Sequence, residues 1–246
     1  MPIVRILLVL LALAAPALAQ DGARDAAAAS EAAQAFRVYV EGVTKQGRRP
    51  DLTRPEVAAL LGRVFDLGAL NALPPAQASD ADWLVEWHEA ASATHELVLT
   101  YGAKPGPQPD RAAIGRNMAE YEDQYAAALN FLIRFNAREA VSTGMLMASL
   151  APGQRTRVVE EAFAATRRDS PVMILGFISS VQRSKPANAR LVAAAIRDTR
   201  EVWASHFLPG DRARVISVLP DFAKRLPDET ARTDLAAFMA ALQAVN

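Results

Sequence analysis

Apolar residues recur at steps of three and four along nearly the whole chain, the spacing of helices that bury one face. Ala29, Ala33, Phe36, Val40 and Val43 mark the first such face. Thr53, Arg54, Pro55 and Glu56 then have the spacing of a capping box with proline in the first turn, and the helix it would open carries Val57, Leu60, Leu61, Val64 and Phe65. A third helix, from about Asp80 to Tyr101, places Trp83, Trp87, Ala90, Thr94, Leu97 and Tyr101 on one side and stops at Gly102. A fourth runs from Asp110 towards Glu139, with Ile114, Met118, Tyr121, Tyr125, Ala128, Leu132 and Phe135 in phase.

Further on, Asp169-Ser170-Pro171 has the form of a helix start with proline at the first helical position. The run that follows, VMILGFI at 172–178, is too apolar for a surface helix and predicts a central, buried one. No alternating run bounded by turn residues marks a strand. The pattern therefore predicts an all-α fold, a multi-helix bundle or stacked helical hairpins with about eight helices.

Two breaker-rich segments punctuate it: LPPAQASD (73–80) and GAKPGPQPD (102–110), the second with prolines at 105, 107 and 109 that favour extended polyproline II. At this length the chain reads as a single all-α domain over 20–246, with 25–72 as an N-terminal hairpin and 110–246 as C-terminal hairpins. APGQRTRVV (151–159) and LPGDRARVI (208–216) share Pro, Gly, two Arg and Val in register. Either a duplicated hairpin or the common chemistry of helix starts produces such a likeness.

The first residues add a destination. Arg5, the apolar run Ile6 to Ala15, Pro16 and the small-residue site Ala17-Leu18-Ala19 have the layout of a secretory signal peptide over 1–19. Cleavage after Ala19 would leave Gln20 to Asn246, periplasmic or secreted, with no transmembrane segment. The absence of cysteine excludes disulfides, thiolate metal ligands, a cysteine nucleophile and a lipoprotein anchor. Stability must then come from the core alone, which a chain of this size can supply. Lys plus Arg and Asp plus Glu both total 27, so losing Arg5 leaves one net negative charge. That balance gives no electrostatic case for nucleic acid or anionic membrane. Arg48 and Arg49, with Arg54 nearby, read as a solvated inter-helix loop.

Candidate chemistry is sparse. WHEAASATHE (87–96) holds two of the three histidines, each followed by glutamate. A zinc-binding His-Glu-x-x-His needs its second histidine four residues after the first. Ser92 and Leu99 stand there instead. His88 and His95, seven apart, sit about 10.5 Å apart along a helix axis, too far to share one ion. They read as boundary histidines beside an acidic, solvated face, and no metal site is expected. His206 ends a helix, where a cation is favourable against the dipole. No Gly-rich phosphate loop, nucleophile elbow or calcium loop occurs, and no cofactor is implied.

The fourth helix carries the best candidate site. Asn117, Tyr121 and Gln124 share a sector with Ala128, Phe131 and Phe135, and Tyr125 lies beside them. Polar groups on a buried face need a partner. Either they line a ligand cavity, or they satisfy neighbouring helix ends, or this end of the helix frays into solvent. The sequence thus supports a non-catalytic binding or scaffold protein acting through helix faces, with an unidentified protein or small molecule as partner. The alternative is a small-molecule-binding protein or enzyme with a pocket around Tyr121 and Tyr125.

Overall fold

The computed structural model describes residues 20–101 and 110–245. The expected signal peptide and the prolines at 105, 107 and 109 lie outside the described residues. Everything described is helix, turn or loop, without a strand among those residues, so the fold is all-α. No helix among them is long and apolar enough to cross a membrane.

The described residues gather into two compact units. The first, residues 20–73 and 83–132, contains α1 (Gln20–Lys45), α2 (Pro55–Val64), α3 (Leu67–Ala72), most of α4 (Ala81–Thr100), α5 (Arg111–Glu120) and the start of α6 (Glu122–Ser149). The second, residues 74–82 and 133–245, contains the rest of α6, then α7 (Arg157–Ser180), α8 (Pro186–Asp198), α9 (Arg200–His206), α10 (Pro209–Lys224) and α11 (Glu229–Ala244).

In the first unit, α1 packs on α2 with Phe36 and Val40 against Leu52, Val57 and Leu61, and Val98 and Tyr121 complete the cluster. Trp87 is fully buried, donates its indole N–H to the Val64 carbonyl at 2.9 Å, and has its ring against Phe131. Near the start of α1, Gly22 lies flat on Trp83: a Cβ there would stand 2.6 Å from the indole.

In the second unit, α11 packs chiefly on α8, and also on α9 and α10. Arg197 of α8 holds Asp198 at 2.7 Å and the buried Asp234 of α11 at 2.8 Å, and Arg134 of α6 reaches Asp198 at 2.6 Å. Burial raises the Asp198 carboxyl, but the hydrogen bonds from these two arginines outweigh it and hold the group below the usual range. The breaker segment 73–80 is fastened: Arg138 donates to the Pro74 carbonyl at 2.8 Å and to the Asp80 carboxylate at 2.7 Å. Asp80 in turn accepts from the Gln77 N–H at 3.1 Å, closing a short 3₁₀ turn at Ala78–Asp80.

Several local expectations are corrected. The capping box at Thr53 does not form: Arg54 is the N-cap of α2 without a side-chain cap, and the Thr53 hydroxyl bonds Asp51 at 2.6 Å. The helix expected over 110–139 breaks at Tyr121 (φ −115°, ψ 36°), giving α5 and a longer α6. Asp169-Ser170-Pro171 starts nothing, because Pro171 lies inside α7. The helix continues since it is buried on both sides of the proline, at Val159, Ala162 and Ala165 before it and at Ile174 and Ile178 after it, and packing overrides the missing N–H. VMILGFI is not central, because only one side of it is covered. Ile174 and Ile178 are sealed, while Val172 is 58% exposed.

The two similar nonapeptides fold differently. Pro152–Gln154 is a 3₁₀ turn and α7 starts only after the cap Thr156, whereas Pro209 is itself the first residue of α10. The core phase also slips by one residue, with Val159 buried in one copy and Val215 in the other. What they share is an arginine in register that reaches back to the preceding helix end. Arg155 donates to Leu150 and Ala148 carbonyls, and Arg212 to those of Phe207 and Ala204.

Candidate functional site: a loop held by tyrosine hydroxyls

Helix α1 ends in a turn that only glycine adopts without strain. Gly47 has φ +66°, its N–H reaches the Thr44 carbonyl at 2.9 Å, and the Arg48 N–H reaches Val43 at 3.0 Å. This paired closure is the Schellman arrangement. It launches a loop, residues 48–54, that alternates inward and outward: Pro50 and Leu52 are buried, while Arg48, Arg49, Asp51, Thr53 and Arg54 are exposed.

Three of the chain's four tyrosines converge on this loop's backbone. Tyr121 donates its hydroxyl to the Pro50 carbonyl at 2.5 Å, and Tyr101 donates to the Arg48 carbonyl at 2.5 Å. The Tyr39 hydroxyl accepts the Asp51 N–H at 2.9 Å and faces the Asp51 carbonyl at 3.3 Å. Burial, followed by the nearby Glu120 charge, pushes the Tyr121 phenol up to about 12, and burial likewise raises that of Tyr101. Both therefore stay protonated donors at any physiological pH. Arg49 adds an ion pair to Glu120 at 3.0 Å. Beyond the loop's bend, Thr53 donates to Asp51 from both its N–H and its hydroxyl, which hold the Asp51 carboxyl low.

The four residues singled out in the sequence are placed as follows. Asn117 is buried and donates to the Leu99 and Tyr101 carbonyls at 2.8 and 2.6 Å, closing the end of α4. Tyr121 is buried at the α5–α6 break and holds the loop. Gln124 is half-buried, in the first turn of α6. Tyr125 is buried and stacks on His95, with ring centroids 5.3 Å apart and planes 20° from parallel. The structure thus joins Asn117 and Tyr121 to the same junction and puts Tyr125 with a histidine.

His95 is half-buried, as a boundary position implies, but one ring nitrogen is sealed. Its Nε2 is buried without a partner, and burial pulls the imidazole down to about 4, so it is neutral at pH 7. The neighbouring Thr94 hydroxyl is also buried and unpartnered. Glu89 and Glu96 are exposed, as their side of the helix suggested. Among the described residues, no three His, Asp or Glu side chains gather as a metal-binding group.

Sequence reasoning missed the parts of the junction contributed from elsewhere: Tyr39, Arg48, Pro50 and Tyr101. Their signal was Gly47 three residues ahead of Pro50, a mark of a shaped turn, but nothing local says which distant hydroxyl a carbonyl will meet. The chain matches no family model, no curated protein and no solved structure.

Proposed function

We propose that this is an exported, non-catalytic binding or scaffold protein that meets its partner through helix faces and the loop they hold. The observation that carries this is the convergence of Tyr39, Tyr101 and Tyr121 on one exposed loop. Ordering a surface loop before contact removes part of the entropy cost of binding. The loop's outward groups are Arg48, Arg49, Asp51, Thr53 and Arg54, with Arg54 paired to Glu56 and Arg49 to Glu120. Such half-neutralised guanidiniums suit hydrogen bonding to a carboxylate-bearing protein surface. The donors of Asn117 and Tyr121 that could have met a small ligand are committed to backbone carbonyls.

A second reading rests on a different observation. The unpartnered Nε2 of His95 and hydroxyl of Thr94, beside Tyr125, would suit a small polar ligand between α4 and α6.

One experiment separates the two. The mature protein is isolated from the periplasm beside a variant with Arg48, Arg49 and Arg54 changed to alanine, and co-purifying protein and small molecules are identified by mass spectrometry. A stoichiometric protein partner lost from the triple variant supports the first reading. A small molecule retained by the triple variant and lost from His95→Phe replaces it with the second. N-terminal sequencing of the same material should begin at Gln20 or within a residue or two, and intact Met1 on soluble protein would remove the export proposal.

A further inference from the structure

His206, the last residue of α9, stands in surroundings unlike those of an ordinary helix-end histidine. It is 8% exposed, with its ring edge-on to Phe163 of α7 at 6.4 Å and to Trp203 at 6.1 Å. Its Nε2 is buried with no hydrogen-bond partner. A helix C-terminus would normally favour a cation here, but four carbonyls of this helix end already accept other donors. Arg167 of α7 donates to the His206 carbonyl at 2.7 Å, and Arg212 of α10 donates to the carbonyls of Phe207 and Ala204 at 2.9 and 3.3 Å. The Trp203 carbonyl receives the Phe207 N–H.

We propose that His206 is an acid-sensitive latch: neutral, it lets α9 close against α7 and α10, and protonated it forces that helix end to open. The proton would arrive on a nitrogen walled by two aromatic rings, beside two guanidiniums already bound to the same helix end. The charged groups around it leave little relief. Arg167 opposes the charge, and Glu139 of α6 favours it by less than burial opposes it. On the helices packed against α9, Arg197 of α8 and Asp234 of α11 are bonded to each other. Burial first, then Arg167, pull the imidazole down to about 4. The latch therefore holds at neutral pH and weakens as the pH falls below the ordinary histidine range, through about 4. The helix-end role expected for a charged His206 is filled instead by Arg167 and Arg212.

The test is amide hydrogen exchange of the full chain at pH 7, 6, 5 and 4, with rates corrected for intrinsic pH dependence. Wild type should lose protection in α9 and the first turn of α10 by roughly a hundredfold between pH 6.5 and 4, the span of the shift. His206→Phe keeps an aromatic ring without the proton site and should abolish that local loss. His95→Phe should leave it in place, which separates this histidine from the other buried one. Should His206→Phe fold poorly, carbon-detected histidine titration of the wild type decides alone. A His206 signal titrating near 6.5 overturns the proposal, as does a local opening that persists in His206→Phe.

Discussion

The two units solve one problem with different chemistry. Both have backbone carbonyls stranded at helix ends and loops, and buried carbonyls need donors. The first unit answers with neutral groups: the hydroxyls of Tyr101 and Tyr121, the Asn117 amide and the Trp87 indole. The second answers with guanidiniums: Arg138 on Pro74, Arg155 on Leu150, Arg167 on His206 and Arg212 on Phe207. A neutral donor that is deleted leaves one unsatisfied carbonyl. A charged donor that is deleted can also strand its carboxylate partner, which costs more. The first unit should tolerate loss of a tie better than the second.

Arg138 is the sharpest place to break that contrast. Its pair with Asp80 is nearly sealed, the two side chains being 13% and 9% exposed. Arg138→Met leaves the carboxylate without its guanidinium and the Pro74 carbonyl without a donor. The expected loss is about 3–5 kcal/mol, measured by chemical denaturation. Asp80→Asn combined with Arg138→Met should recover part of it, because the stranded charge is gone. A loss under about 1 kcal/mol for the single change would mean that charge adds nothing to the second unit's ties.

Acid should act on the first unit too, through His95. A histidine held neutral by the fold binds a proton more readily when unfolded, so its contribution is complete above the unfolded pKa near 6.5. It is lost as the pH falls from there through about 4. At roughly 1.36 kcal/mol per pKa unit, and allowing for its incomplete burial, the loss is about 2 kcal/mol. His95→Phe, which preserves the stack on Tyr125, should flatten the stability profile between pH 6.5 and 4. An unchanged slope in that variant would show that His95 is reached by solvent.

Tyr121→Phe probes a neutral tie directly. The ring stays in the cluster with Leu52, Val57 and Leu61, and only the bond to the Pro50 carbonyl disappears. A buried carbonyl left without its donor costs about 1–3 kcal/mol. Urea denaturation should place the variant in that range, below Arg138→Met. A midpoint identical to wild type would mean that water replaces the hydroxyl and that Tyr121 does not order the loop.

How much of this was legible in the sequence follows from the range of the interactions. The fold class and the stripes of α1, α2 and α4 are periodic signals, and Phe36, Val40, Trp83 and Trp87 are buried on the faces their spacing assigns. Boundaries set by tertiary packing were not legible. Pro171 continues a helix because Ile174 and Ile178 are buried beyond it, and Tyr121 breaks one where no proline or glycine stands. In the candidate site, periodicity marked Asn117, Tyr121 and Tyr125 as polar groups facing inward. Their partners are carbonyls at Leu99 and Pro50 and the His95 ring. No spacing rule points to a carbonyl, since every residue has one. His206 shows the limit for charge: a helix end argues for a cation, but only the surrounding Phe163, Trp203, Arg167 and Arg212 keep it neutral.

The smallest expected effect on stability belongs to Arg49, and it carries the most information on function. Its guanidinium lies 3.0 Å from the Glu120 carboxylate, but the side chains are 61% and 42% exposed. Water competes for both groups, and holding two long side chains in one geometry costs entropy. Arg49→Ala should therefore shift stability by no more than about 0.5 kcal/mol, and a double-mutant cycle with Glu120→Ala should return a similarly small coupling. The Tyr121 hydroxyl would still hold Pro50, so the loop keeps its shape. Binding should respond differently. If the loop meets an acidic protein surface, losing one guanidinium weakens capture severalfold or more and makes the residual binding less sensitive to salt. A variant that is stable and binds as wild type would leave the loop ordered but unused. The partner's contact would then lie on the helix faces. A variant that loses more than about 1 kcal/mol of stability would show instead that the first unit also depends on charge, and the contrast between the units would fail.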